Sequence, residues 1–137
     1  MIDKSTIPQV AFQMMNEVHN EEADLLNTLE SLLKQEHIDT QTVDDTLQAL
    51  LTHTQGHFAN EERLMQEVSF PAFMMHQGEH LRVLDEMKHT ISRWQTEQDT
   101  ELLSAYFLGS LQEWLMLHIS TMDTMTAQFI CTHKGCA

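Results

Sequence analysis

Chain breakers are scarce, with only 4 glycines and 2 prolines in 137 residues. A loop-rich fold is excluded, and with Leu, Met, Glu, Gln and Ala plentiful the chain reads as mostly helix. Long hydrophobic runs are also missing. The longest are a few residues, far short of the roughly 20 that span a bilayer, so no transmembrane helix is expected. The opening MIDKSTIPQVAF has neither the basic start nor the apolar stretch of a secretory signal, which makes the cytoplasm the expected compartment. Basic residues are few: 7 Lys and Arg stand against 21 Asp and Glu, for a formal charge of −14. With no basic stripe to offset that charge, nucleic acid and anionic membrane are excluded as partners. Cysteine is limited to Cys131 and Cys136 in the terminal CTHKGCA, where no bridge can staple the core. A frayed tail is the preferred reading of these residues, and a metal clip or redox pair around His133 is the alternative.

The length allows one domain with a sizeable core and not two. Breakers divide it into four helical segments. Pro8 suits the first turn of a helix running to about Gln35. Asp39 or Thr40 offers an N-cap for a second that reaches about Val68. Ser69-Phe70-Pro71 interrupts the pattern, and a third helix runs to about Gln95. After a connection at Thr96 to Thr100, with Asp99 as a cap, the fourth extends to about Ile130. Joins this short belong between antiparallel neighbours. The expected organisation is an all-α bundle over residues 1–130 followed by a short cysteine-containing tail, 131–137.

Apolar spacing gives the helices a common seam. In the second, Val43, Leu47, Leu50, Thr54, His57, Glu61, Leu64 and Val68 alternate steps of four and three, the repeat of bundle packing. The first places Phe12, Met15, His19, Glu22, Leu26, Leu29 and Leu33 on such a stripe. The third places Phe73, His76, His80, Val83, Met87, Ile91 and Trp94 there. The fourth contributes Leu103, Phe107, Leu111, Trp114, His118, Met122, Met125 and Phe129.

Each seam therefore carries a potential metal ligand near its middle. A buried polar group without a partner costs about 1 to 3 kcal/mol and a buried charge more. A lone inward histidine is usually a hydrogen-bonded core residue, but five imidazoles with carboxylates in one seam need something to bind. His57 with Glu61 and His76 with His80 are i, i+4 pairs, each able to present two donors to one region. Imidazole and carboxylate suit iron, zinc or manganese, and the lack of inward cysteine argues against thiolate sites. Spacing alone does not select Asp123. Five residues beyond His118 is about 140 degrees around an α-helix, so the two side chains should diverge.

The segments HFANEERLM, FPAFMMHQGEH and WLMLHISTMD resemble the second, third and fourth helix motifs of the hemerythrin family, specifically bacteriohemerythrins. His19, with Asn27 and Leu29 after it, fits the first helix, so the resemblance covers nearly the whole chain. It implies an up-down-up-down four-helix bundle around two iron ions. His76, His80 and His118 would bind one iron and His19 and His57 the other. Glu61 and Asp123 would bridge the pair, with an oxo or hydroxo group as third bridge. Dioxygen would bind reversibly at the open position of one iron and be held as hydroperoxide, for storage, delivery or sensing. Phe58, Met65, Trp114, Leu115 and Ile119 would line a dry pocket for it, positions that ordinary core packing also explains. Peroxide, nitric oxide and azide are further ligands the resemblance implies, and a monomer or weak oligomer is expected.

Three residues after His19, where the family usually carries an aliphatic residue facing the pocket, this chain has Glu22. A carboxylate there would be protonated, hydrogen-bonded or itself a ligand. Glu22 would then coordinate the open iron or supply a proton to bound peroxide, unless a small rotation of the helix turns it to solvent. His53, one turn before His57, is either a partner behind the ligands or a surface histidine. His37, His89 and His133 are not needed by the site. Two other classes of function remain open: an enzyme using the same centre for peroxide or nitric oxide chemistry with Glu22 as acid, and a redox or oxygen sensor read by a partner.

Overall fold

The computed structural model describes residues 1–136, and all regular structure among them is helical. α1 covers Gln13–Leu33, α2 covers Thr40–Glu67 and α3 covers Phe73–Glu97. α4 is one rod made of three α-helical stretches, Thr100–Ala105, Leu111–His118 and Thr124–Lys134. Two π-helical turns, Tyr106–Ser110 and Ile119–Asp123, join them without a break. Each helix packs on its neighbours in sequence and α1 meets α4, which closes an antiparallel four-helix bundle. Among the described residues no helix is long and apolar enough to cross a membrane.

Local chemistry sets most boundaries. Asp39 caps α2 by accepting the Thr42 N–H at 3.2 Å, and Asp99 caps α4 by accepting from Glu101 and Leu102, both at 3.1 Å. Between α3 and α4 the chain reverses so tightly that Gln98 adopts φ 50, a left-handed conformation. The interior is filled by Leu26 and Leu29 of α1, Leu47 and Leu50 of α2, Val83 and Met87 of α3, and Leu103 and Phe107 of α4, all buried. Each contributes about 1.5 to 3 kcal/mol of apolar burial.

α1 begins at Gln13 and not near Pro8 as the sequence suggested. The Asn16 side chain explains the difference: its Oδ1 accepts from the Val10 N–H at 2.8 Å and its Nδ2 donates to the Val10 carbonyl at 3.0 Å. Residues 7–12 are thereby held non-helical, and Ile7, Val10 and Phe12 are buried in the core. Asn27 fastens Ile2 through the same pair of bonds, at 2.7 and 2.9 Å. The N-terminal segment is a strap laid along α1.

The inward face of α4 also departs from expectation beyond His118. Met125, expected on the seam, is 66% exposed, Met122 and Phe129 are half-buried, and Asp123, Thr126, Ala127 and Ile130 are buried instead. The cause is the second π turn. There the Thr124 N–H bonds the Ile119 carbonyl, five residues back, so one turn takes up an additional residue and the face slips by one. α4 also runs to Lys134, past the expected end at Ile130, which puts Cys131 in its final turn. Residue 137, the last of the expected tail, lies outside the described residues.

Candidate metal centre

All four helices send side chains to one buried region. α1 supplies His19, α2 supplies His57 and Glu61, α3 supplies His76 and His80, and α4 supplies His118 and Asp123, all buried. Their donor atoms form two groups, each within 4.8 Å of one another: Glu61, His76, His80, His118 and Asp123 in one, and His19, His57 and Glu61 in the other.

The carboxylates are shared between the groups by opposite oxygens. Glu61 Oε1 lies 3.4 Å from His80 Nε2 and 3.6 Å from His76 Nε2, while its Oε2 contacts His57 Nε2. Asp123 Oδ1 lies 3.1 Å from His76 Nε2 and 3.2 Å from His118 Nε2, while Oδ2 is 3.0 Å from His19 Nε2. Asp123 reaches this point because the π turn brings i and i+5 onto one line, a relation invisible at α-helical spacing. Such turns recur at functional sites.

The outer nitrogens of two imidazoles are fixed by residues that sequence reasoning did not find. His80 Nδ1 donates to Glu62 at 2.9 Å, and His76 Nδ1 donates to the Thr126 hydroxyl at 2.8 Å. Each assignment leaves the Nε2 lone pair facing inward. Glu62 follows Glu61 on the flank of α2, and only its distance in space to His80 identifies it. Thr126 was hidden by the register slip in α4.

The donors fit a cation. His76 Nε2 and His118 Nε2 lie 3.0 Å apart beside Asp123 Oδ1, so three potential donor atoms crowd one buried point. Glu61 Oε1, His80 Nε2, Asp123 Oδ1 and His19 Nδ1 are buried with no hydrogen-bond partner. Orphaned acceptors at this density are rare in folded proteins unless they hold an ion. Burial works against charge on both His57 and Glu61, and Asp123 further repels Glu61. Their mutual attraction and hydrogen bond prevail, holding His57 up at about 9 and Glu61 below the usual carboxylate range. Asp123 is also held well down despite its burial, by the His118, His19 and His76 imidazoles that face it, of which His19 Nε2 donates to Oδ2 at 3.0 Å.

Glu22 is buried and not turned to solvent, yet it joins neither donor group. Its Oε2 accepts from His53 Nδ1 at 2.6 Å and its Oε1 from the Thr54 hydroxyl at 2.9 Å. His53 is thus the partner of a buried carboxylate and not a free surface side chain. That hydrogen bond to Glu22, opposed by partial burial, raises the His53 pKa above its ordinary 6.5.

Aromatic rings cover the first group. Phe58 stacks on His80 with centroids 3.8 Å apart, and Trp114 stacks on His118 at 4.3 Å while donating its indole N–H to Glu79 at 3.0 Å. Phe58, Met65, Leu115 and Ile119 are buried and Trp114 is half-buried. His37 is exposed in the connection between α1 and α2 and His89 is exposed on α3, and neither joins the donor groups.

The fold and donor set define a class: a four-helix bundle whose interior can hold metal. Within that class the chain belongs to the hemerythrin family, since the family model described as hemerythrin HHE cation binding domain matches residues 10–130. Three curated relatives carry the name bacteriohemerythrin. The protein from Aquifex aeolicus is 32% identical over 129 residues, covering 93% of this chain and 96% of its own. That from Ralstonia nicotianae is 31% identical over 84 residues, 61% of this chain and 60% of its own, and that from Stenotrophomonas maltophilia is 24% identical over 124 residues, 90% and 78%. No solved structure matches the chain significantly.

Proposed function

We propose that this chain binds dioxygen reversibly at a non-haem di-iron centre, for storage, delivery or sensing, and acts as a binding protein and not as an enzyme. The observation that carries the proposal is the division of Glu61 and Asp123, each of which turns one oxygen to either donor group. In this reading His76, His80 and His118 hold one iron, His19 and His57 the other, and the two carboxylates bridge them. Imidazole and carboxylate without thiolate suit iron in this role. A pair of ferrous ions, when bound, supplies the electrons and the open coordination position that dioxygen uptake needs.

The chain's own residues do the rest. Glu62 and Thr126 orient His80 and His76 by holding their outer nitrogens. Phe58, Met65, Leu115 and Ile119 keep water out, and the Trp114 indole closes over His118. Glu22 we assign to His53 and Thr54, because both its oxygens are already engaged there.

The test is the optical spectrum of iron-reconstituted, reduced protein before air, after air and after oxygen is withdrawn. A charge-transfer band that appears with oxygen and vanishes on its removal is expected. Direct passage to a stable oxidised spectrum would overturn the carrier reading in favour of a redox or sensing role.

A further inference from the structure

The two cysteines that the metal centre does not use are joined. Cys131, in the last turn of α4, forms a disulfide with Cys136 five residues on. Between them Gly135, at φ 95, ends the helix and turns the chain back, with its N–H on the Cys131 carbonyl at 2.9 Å. A bridge closing so short a loop removes little entropy from the unfolded chain, and the bundle has its own large core. It is a poor staple.

What the bridge does is place a backbone carbonyl. The Cys136 carbonyl accepts the Gln13 N–H at 3.4 Å, at the first residue of α1. That helix start lacks a side-chain cap, because its N-cap position is Phe12. The first amides of a helix need an acceptor from outside it, and here the tail of α4 supplies one. α1 in turn carries His19 and Glu22. Cys131 is half-buried and Cys136 exposed, so the Cys136 sulfur is open to attack from solvent. The neighbouring residues stay fixed by other means: Lys134 pairs with Glu67 of α2, and the His133 ring stacks on Phe129 at 4.2 Å.

We propose that Cys131–Cys136 is a thiol–disulfide exchange site whose oxidation state controls the capping of α1, and that its reaction partner is a dithiol. A thiolate of the partner attacks Cys136 Sγ, the sulfur–sulfur bond breaks, and Cys131 leaves as thiolate and takes up a proton. The partner's second thiol then resolves the mixed disulfide. The protein gains two electrons and two protons, and the partner becomes the disulfide. With the bridge open, residues 135 and 136 lose their tether and the Gln13 amide loses its acceptor.

The experiment uses the native folded chain equilibrated with mixtures of reduced and oxidised dithiothreitol. Thiols are counted by alkylation and mass, and amide hydrogen exchange is followed in parallel. The pair is expected to reduce and reoxidise reversibly without loss of fold, and exchange at Gln13 to quicken roughly fivefold on reduction, the factor equivalent to one net hydrogen bond. Core amides of α2 around Leu47 should not change, and Cys136→Ser should match the reduced protein without any reductant. A pair that yields only when the chain unfolds would overturn the exchange site. Reversible reduction with Gln13 exchange unchanged would overturn the capping role. Neither readout depends on oxygen binding, so the result stands apart from the proposed function.

Discussion

His118 and Asp123 are five residues apart in sequence and one turn apart in space, with Nε2 and Oδ1 separated by 3.2 Å. The π turn between them makes Asp123 the mate of Glu61: two carboxylates on different helices, each divided between the same two groups of imidazoles. Several consequences can be measured.

Removing either shared charge should disable both groups together. Glu61→Gln and Asp123→Asn are each expected to weaken iron loading by more than about 100-fold, the upper range for residues that merely support ligands. Iron analysis after desalting should give two ions per chain for the parent and well under one for either variant. A variant that retains a full single ion would show that the groups load independently.

Loading should also release protons. With His57 held up at about 9, the metal-free imidazole carries its proton through neutral pH, and a ligand must lose it. Apparent affinity should therefore climb as pH rises toward 9 and flatten above it. Calorimetry in buffers of different ionisation enthalpy reads the proton count directly, and a count that stays constant from neutral pH to beyond 9 would contradict the His57–Glu61 pairing.

The Glu22–His53 hydrogen bond has its own signature. Because the His53 pKa is raised from 6.5 in the folded chain, the pairing contributes stability that is full below 6.5 and lost as pH rises through the raised value. Glu22→Leu should bring the His53 midpoint back toward 6.5, read from its imidazole NMR signals. An unmoved midpoint would separate the two residues, and slower autoxidation of the same variant would instead favour Glu22 as a proton donor.

Phe58 is 2% exposed and lies flat on the His80 ring. Phe58→Ala should destabilise the bundle by about 3 to 5 kcal/mol in denaturant unfolding, from lost burial and the cavity left behind. It should also shorten the life of the oxygenated form by letting water reach the donors. Phe58→Leu should fall between the two.

Most of the bundle could be read from the chain, and the failures share a cause. Asp39 and Asp99 announced two helix starts, and the four-and-three spacing placed His57, Glu61, His76 and His80 inward, because these are local signals on regular α-helix. Asp123 was legible only through the family motif, and Met125 was misplaced, because a π turn leaves no mark in apolar periodicity. The late start of α1 depends on one side chain, Asn16, preferring two bonds to the Val10 backbone over helix continuation. Glu62 and Thr126 act across helices, and no spacing within one helix reveals such partners.

The strap formed by residues 1–12 bears on how the chain folds. α1 to α4 meet mainly through neighbours in sequence, contacts of the kind that form early. The strap has only one short 3-10 turn, Lys4–Thr6, of its own: it hangs on Asn16 and Asn27 and on ion pairs from the Met1 amine to Glu30 and from Lys4 to Asp24, and its first residues face Gln112, Glu113 and Met116 near the middle of α4. Ile7, Val10 and Phe12 are buried in the common core, so they reach their places only once the helices around them have packed. The strap is therefore last to reach its native place and first to let go, so a native-state opening should free it while the helices around the centre remain closed.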